Sequence, residues 1–118
     1  MASLSTHTLN SVDGTHAGPI HLSVYRIERN GVRSEFLSGQ TDDGGRFSAD
    51  FELSEDDLRA EFELVLQTGR YFQAKGVGDT EPQICREVVI RFSMPDPNRR
   101  YHIPMMLSPN SYSVWWSS

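Results

Sequence analysis

The sequence predicts an all-β sandwich of two packed sheets with one short helix. Three observations carry that expectation. Short β-rich runs recur along the chain, turn clusters separate them at regular intervals, and apolar residues alternate with period two in the second half. The turn clusters fall at Asp13-Gly14, Asn30-Gly31, Asp42 to Gly45, Asp79 to Pro82 and Asp96 to Asn98. Seven or eight strands fit between them. No internal repeat or low-complexity linker interrupts residues 1–118, so one domain is expected.

Taken in order, the first apolar stretch is His21 to Glu28, where the pattern shifts from Leu22 and Val24 to Tyr25 and Ile27. Such a shift marks a bulge or burial on both faces. Ser54, followed by Glu55, Asp56 and Asp57, resembles a capped helix start, but Phe62 soon restores the strand period. Phe62, Leu64 and Leu66, interleaved with Glu61, Glu63 and Val65, make a strand. After Thr68-Gly69, Arg70 to Lys75 forms a turn or two of helix that Gly76 ends.

The last runs are the clearest. Val88, Ile90, Phe92 and Met94 share one face, with Val89, Arg91 and Ser93 on the other. After the Pro95 to Asn98 turn, Tyr101, Ile103, Met105 and Leu107 share a face, with His102, Pro104 and Met106 opposite. Side chains of a strand alternate between its faces, so the core claims the first set and His102 points away from it. The two runs are expected to pair as an antiparallel hairpin.

A chain of 118 residues buries roughly two-thirds of its unfolded surface and needs no covalent staple. Its only cysteine, Cys85, precedes an apolar run and reads as a buried or half-buried structural thiol. The start, MASLSTHTLN, has neither the basic region nor the apolar core of a secretory signal. No apolar run approaches the ~20 residues of a spanning helix, so a soluble, cytoplasmic protein without a membrane partner is expected. The net charge of -5, with no block of like charge, argues against nucleic acid. Arg99 and Arg100 follow an Asp-Pro-Asn turn and read as a solvated hairpin end.

Four histidines are present: His7, His16, His21 and His102. None is paired at metal-ligand spacing within one element, and no cysteine or carboxylate completes a cluster, so no metal or cofactor is expected. Neither a glycine-rich phosphate loop nor a nucleophile elbow is present. Local motifs alone leave a β-sandwich of open purpose.

The pattern over the whole chain says more. LSTHTLNSVDGTHAGPI spans Leu4 to Ile20, TDDGGRF spans Thr41 to Phe47, TGRYFQAKG spans Thr68 to Gly76, and EVVIRFSMPDPNRRYHIPMMLSPNSYS spans Glu87 to Ser113. In this order and spacing the chain resembles the transthyretin-like family, and most closely its enzymatic branch, the 5-hydroxyisourate hydrolases. The resemblance implies a transthyretin-like β-sandwich of two four-stranded sheets with one short helix. It also implies a homotetramer, a dimer of dimers, with active sites in the channel between dimers and a place in purine metabolism. Three catalytic positions carry over: the histidine of LSTH on His7, the arginine closing the turn on Arg46, and the histidine of YHIP on His102. The hormone-binding branch characteristically loses these histidines. Singly, each residue has an ordinary explanation: His7 as a polar residue on an edge strand, Arg46 as an exposed residue after a turn, His102 as the partner of a carboxylate. Within the matched framework they read together as catalytic.

The end of the chain departs from that pattern. The hydrolases close on YRGS, which packs at the channel; here the matching residues are Trp115, Trp116, Ser117 and Ser118, and Val114 replaces a threonine after Tyr112-Ser113. Arginine offers a fixed charge and a fork of donors, whereas Trp116 offers a broad apolar face and one N–H. Ser113, Trp115, Trp116 and Ser118 are therefore candidate substrate-binding residues of a site suited to a larger, flatter, less charged ligand. Burying an apolar side chain stabilises by about 1.5–3 kcal/mol, so at least one tryptophan is expected to be buried, at a subunit interface.

The function expected is a cofactor-free hydrolase of a cyclic ureide or amide, acting on a small heterocyclic substrate. One imidazole activates water, the other protonates the leaving nitrogen, and Arg46 stabilises the developing oxyanion. The alternatives are a paralogous hydrolase, lyase or cyclase with a bulkier aromatic substrate, and a non-catalytic transthyretin-like binding protein.

Overall fold

The computed structural model describes residues 1–77 and 82–118. Nine strands, one α-helix and one 3-10 turn are formed among them. In chain order these are β1 (Ala2–Asn10), β2 (His21–Ile27), β3 (Arg33–Gln40), β4 (Arg46–Phe51), the 3-10 turn (Asp57–Arg59) and β5 (Glu61–Leu66). Then come α1 (Thr68–Ala74), β6 (Val88–Ser93), β7 (Arg100–His102), β8 (Met105–Ser108) and β9 (Ser111–Val114). The fold is the expected two-sheet sandwich. One sheet runs β3-β2-β5-β6, antiparallel throughout. The other runs β4-β1-β8-β9, with β7 also beside β1. β7 and β8 are two halves of one path along β1, both parallel to it. They are separated by Ile103-Pro104, where proline has no N–H to give the ladder.

The core forms between the sheets from Leu4, Leu22, Val24, Phe62, Leu64, Leu66, Val88, Met94, Met105 and Leu107, with Phe72 of α1 closing one side. β1 is less apolar than its position demands. Its inward residues are Ala2, Leu4, Thr6, Thr8 and Asn10, all buried. The polar ones are satisfied internally: Thr6 Oγ1 donates to the Ile103 carbonyl at 2.7 Å, Thr8 Oγ1 to that of Ala17, and Asn10 Nδ2 reaches Tyr71 Oη. Buried polar groups are tolerated on such terms.

Most elements match their sequence signals. The bulge appears as a register shift between Val24 and Tyr25 against β3. The Ser54 signal is a reciprocal cap on the 3-10 turn: Asp57 N–H donates to Ser54 Oγ, and Ser54 N–H to Asp57 Oδ2. The helix begins at Thr68, two residues before the expected Arg70.

Two expectations are overturned. β6 and β7 do not form a hairpin. β6 pairs with β5, and β7 pairs with β1 in the opposite sheet. The segment between them crosses the sandwich, held where the Tyr101 hydroxyl accepts from Asp96 N–H and donates to the Asp96 carbonyl. Strands facing each other across a core show the same alternation as strands side by side, so the pattern does not separate the cases. Cys85 is exposed, not buried, because the apolar strand starts only at Val88. The Asp79–Glu81 part of one expected turn lies outside the described residues. No described helix is long and apolar enough to cross a membrane.

One glycine fixes the geometry next to the candidate site. Gly45 has φ +75 and is buried where a Cβ would lie 2.3 Å from the Thr8 carbonyl and 2.9 Å from that of Ala17. Both the left-handed backbone and the contact with main chain exclude a side chain. Gly45→Ala is expected to destabilise the fold by about 2–3 kcal/mol, read as a lowered urea midpoint at fixed protein concentration.

Candidate active site

The outward face of β1 carries Ser3, Ser5, His7 and Leu9, alternating with the buried set. Because β1 lies inside its sheet, each of these residues has neighbours on both sides. Antiparallel pairing with β4 sets His7 opposite Arg46 and Ser5 opposite Ser48. Parallel pairing with β7 sets Ser5 opposite His102. His102 in turn exchanges backbone hydrogen bonds with Ser117, N–H to carbonyl at 3.0 Å and the reverse at 2.8 Å. The result is a cross-strand row of Ser48, Ser5, His102 and Ser117, with Arg46 and His7 in the next row.

Each side chain has a local cause. Arg46 follows a turn organised by Asp42, whose Oδ1 accepts from the N–H groups of Gly44 and Arg46. Among the described residues no carboxylate lies within ion-pair distance of Arg46, and its side chain is exposed. His102 has no carboxylate partner among the described residues; its Nδ1 meets Ser5 Oγ at 2.8 Å. Nor is His7 on an edge strand.

Sequence reasoning missed His16. After Asn10 the chain reverses through a turn where Gly14 N–H donates to the Asn10 carbonyl and Asp13 Oδ1 accepts from Thr15 N–H. The returning limb bridges to β1 at Leu9 and His16. His16 Nδ1 thereby comes within 2.9 Å of His7 Nε2, the ring centroids 5.0 Å apart. The Asp13-Gly14 turn was the available signal, since a tight reversal there brings the two histidines together. No third histidine, cysteine, aspartate or glutamate joins them as a metal-binding group among the described residues.

Burial holds the His7 pKa below its ordinary 6.5, and the positive charge of Arg46, then of His16 and His102, adds to the effect. A backbone hydrogen bond at Gly44 acts in the opposite direction. The lowered pKa favours the neutral imidazole, the form of His7 that can act as a base.

The tail residues separate. Ser117 lies against the His102 backbone, and Ser113 stands on β9 opposite Met106. Ser118 is exposed beyond them. Neither tryptophan is buried within the chain; Trp115 is 47% exposed and Trp116 56%. Both line a cavity of about 650 Å³ between β6 and β7, with Phe92, Tyr101, Ile103 and Val114. The Arg99 guanidinium stands 6.0 Å from the Trp116 ring centre. His7, Arg46 and His102 do not line that cavity. Tyr101 and Ile103, which line it, are buried on either side of His102, which faces outward.

Comparison with known proteins follows the same lines. The family model described as the HIUase/Transthyretin family matches residues 4–116. A 5-hydroxyisourate hydrolase of Pseudomonas aeruginosa is 34% identical over 119 residues, covering 100% of this chain and 93% of that protein. A second, from Ralstonia nicotianae, is 30% identical over 118 residues and covers 100% of both. Among solved structures, (S)-allantoin synthase superposes with a TM-score of 0.80 over 99% of this chain and 44% of its own, at 22% identity. That likeness is one of fold.

The electrostatics carry a consequence for pH. Folded His7 binds a proton more weakly than the unfolded residue, so its contribution to stability is present above 6.5 and lost as pH falls below that value. Arg46→Ala removes one cause of the depression. The His7 ring should then titrate at higher pH, as followed by 15N NMR of the imidazole, and an unmoved titration would contradict the assignment.

Proposed function

The chain belongs to the HIUase/Transthyretin family, and from that premise we propose that it is a cofactor-free hydrolase opening the ring of 5-hydroxyisourate or a closely related cyclic ureide. The observation that carries the proposal is the convergence, on the outward face shared by β1, β4 and β7, of two imidazoles and a guanidinium that has no carboxylate partner among the described residues. Hydrolysis of a ring amide needs a base for water, an acid for the leaving nitrogen and a donor for the carbonyl oxygen. His7, held neutral, takes a proton from the attacking water. His102, hydrogen-bonded through Nδ1 to Ser5 Oγ, protonates the leaving nitrogen from Nε2 in its imidazolium form. Arg46 holds the anionic, carbonyl-rich ring and stabilises the tetrahedral oxyanion. The Ser117 backbone fixes the position of His102, and Ser113 and Ser118 orient the substrate.

We place this face in the channel between the paired dimers of a homotetramer. Exposed apolar side chains support that assembly: Met106, Tyr112, Trp115 and Trp116 are each more than 40% exposed, and subunit contact would cover them.

A second reading, a bulkier aromatic heterocycle as substrate, is favoured by Trp116, whose exposed ring adjoins Ser117, the residue bonded to the His102 backbone. One assay separates the two. Freshly generated 5-hydroxyisourate, followed by ultraviolet absorbance, should decay rapidly with the purified protein; a rate equal to the uncatalysed decay would move the assignment to the second reading. His7→Ala and His102→Ala should each lower kcat by about 10²–10⁴-fold while the tetramer persists in size-exclusion chromatography. Full activity in either variant would remove that residue from the mechanism.

A further inference from the structure

The mechanism above uses His7 but gives no task to the imidazole bonded to it. We propose that His16 is a positioning residue for His7, holding its ring through the Nε2···Nδ1 hydrogen bond and carrying to solvent the proton that each turnover releases. This deepens the hydrolase reading and rests on it for the source of the proton.

The geometry is specific. The two nitrogens are 2.9 Å apart and the rings are inclined by 31°. A bond between two imidazole nitrogens needs a proton on one and a lone pair on the other. The pair therefore accommodates one added proton readily, since the cation of one ring donates to the other. A second added proton leaves two facing cations and no acceptor, and is resisted. The charged groups bearing on His7 are Arg46 from β4, His102 from β7 and His16 from the returning limb. Arg46 and His102 repel a proton from His7, the more buried ring, whereas His16 is exposed. An added proton on the pair is thus driven outward, from His7 to His16.

The chemistry supplies such a proton. Water attacks the ring carbonyl and the C–N bond breaks; one water proton ends on the leaving ureide nitrogen. The new carboxylic acid ionises near neutral pH, so one proton remains in excess per turnover. His7 stands where that proton is formed, and His16 is its route to bulk water.

The test uses the intact protein with His16→Ala and His16→Gln. Removing His16 should move the His7 imidazole titration by NMR, because the ring loses its hydrogen-bond partner. With 5-hydroxyisourate, His16→Ala should lower kcat about tenfold with KM unchanged, and added imidazole should restore the rate. Glutamine can keep a hydrogen bond to His7 without transferring a proton, so His16→Gln should also be slow and also be rescued. An unmoved His7 titration would overturn the pairing. A kcat loss that imidazole does not relieve, or no loss, would overturn the proton route. Failure of wild-type protein to accelerate 5-hydroxyisourate decay would instead count against the substrate, and the NMR titration would still decide the pairing.

Discussion

The pairing of β1 on both its edges is the constraint on which the rest of the molecule depends. Antiparallel bonds to β4 and parallel bonds to β7 and β8 fix its register, and register decides which residues face out. A slip of one residue would send His7 into the core and Thr6 to the surface. The slip is opposed from the inside: Thr6 and Thr8 place their hydroxyls on particular backbone carbonyls, and an imidazole in either place would leave those acceptors without their partners. The polar inner face of β1 therefore specifies register in a way that a purely apolar face would not.

From that register the electrostatics follow. Arg46 faces His7 because β4 starts there, and the Asp42 turn sets where β4 starts. His102 is a diagonal neighbour because β7 runs parallel to β1 from Ser3 to Ser5. Three groups able to carry positive charge bear on one imidazole, and no carboxylate pairs with Arg46 among the described residues. Such an arrangement favours binding an anion over binding a metal cation, and lowers the proton affinity of the His7 ring.

Much of this was legible in the sequence. Alternation along Val88–Met94 and Tyr101–Leu107 gave the faces correctly, including the outward His102, because side-chain direction is local. It did not give the partner strand, because facing and adjacent strands bury the same residues. The faces of β1 were less legible: in LSTHTLN the inward Thr6 and Thr8 are as polar as the outward Ser5 and His7. Long-range resemblance, and not periodicity, brought His7, Arg46 and His102 together. His16 escaped both routes, since it acts across a turn and not within one element. The tail shows the same limit in reverse. WWSS marked a departure, but only the ladder between Ser117 and His102 shows one residue at the site while the tryptophans line another cavity.

The contact between Ser5 and His102 spans 97 residues of chain, and it has a kinetic meaning. The sheet β3-β2-β5-β6 assembles from strands that are mostly near neighbours in sequence, whereas β1 must wait for β7 and β8 before that edge is covered. Contacts of such separation form late, because a long loop must close before any bond rewards it. The outward face of β1 is therefore expected to be among the last surfaces to form as the chain folds. Until then β1 presents an open row of backbone donors and acceptors, the kind of edge that other chains can join. The strand that organises the site is, during folding, also the one most in need of protection.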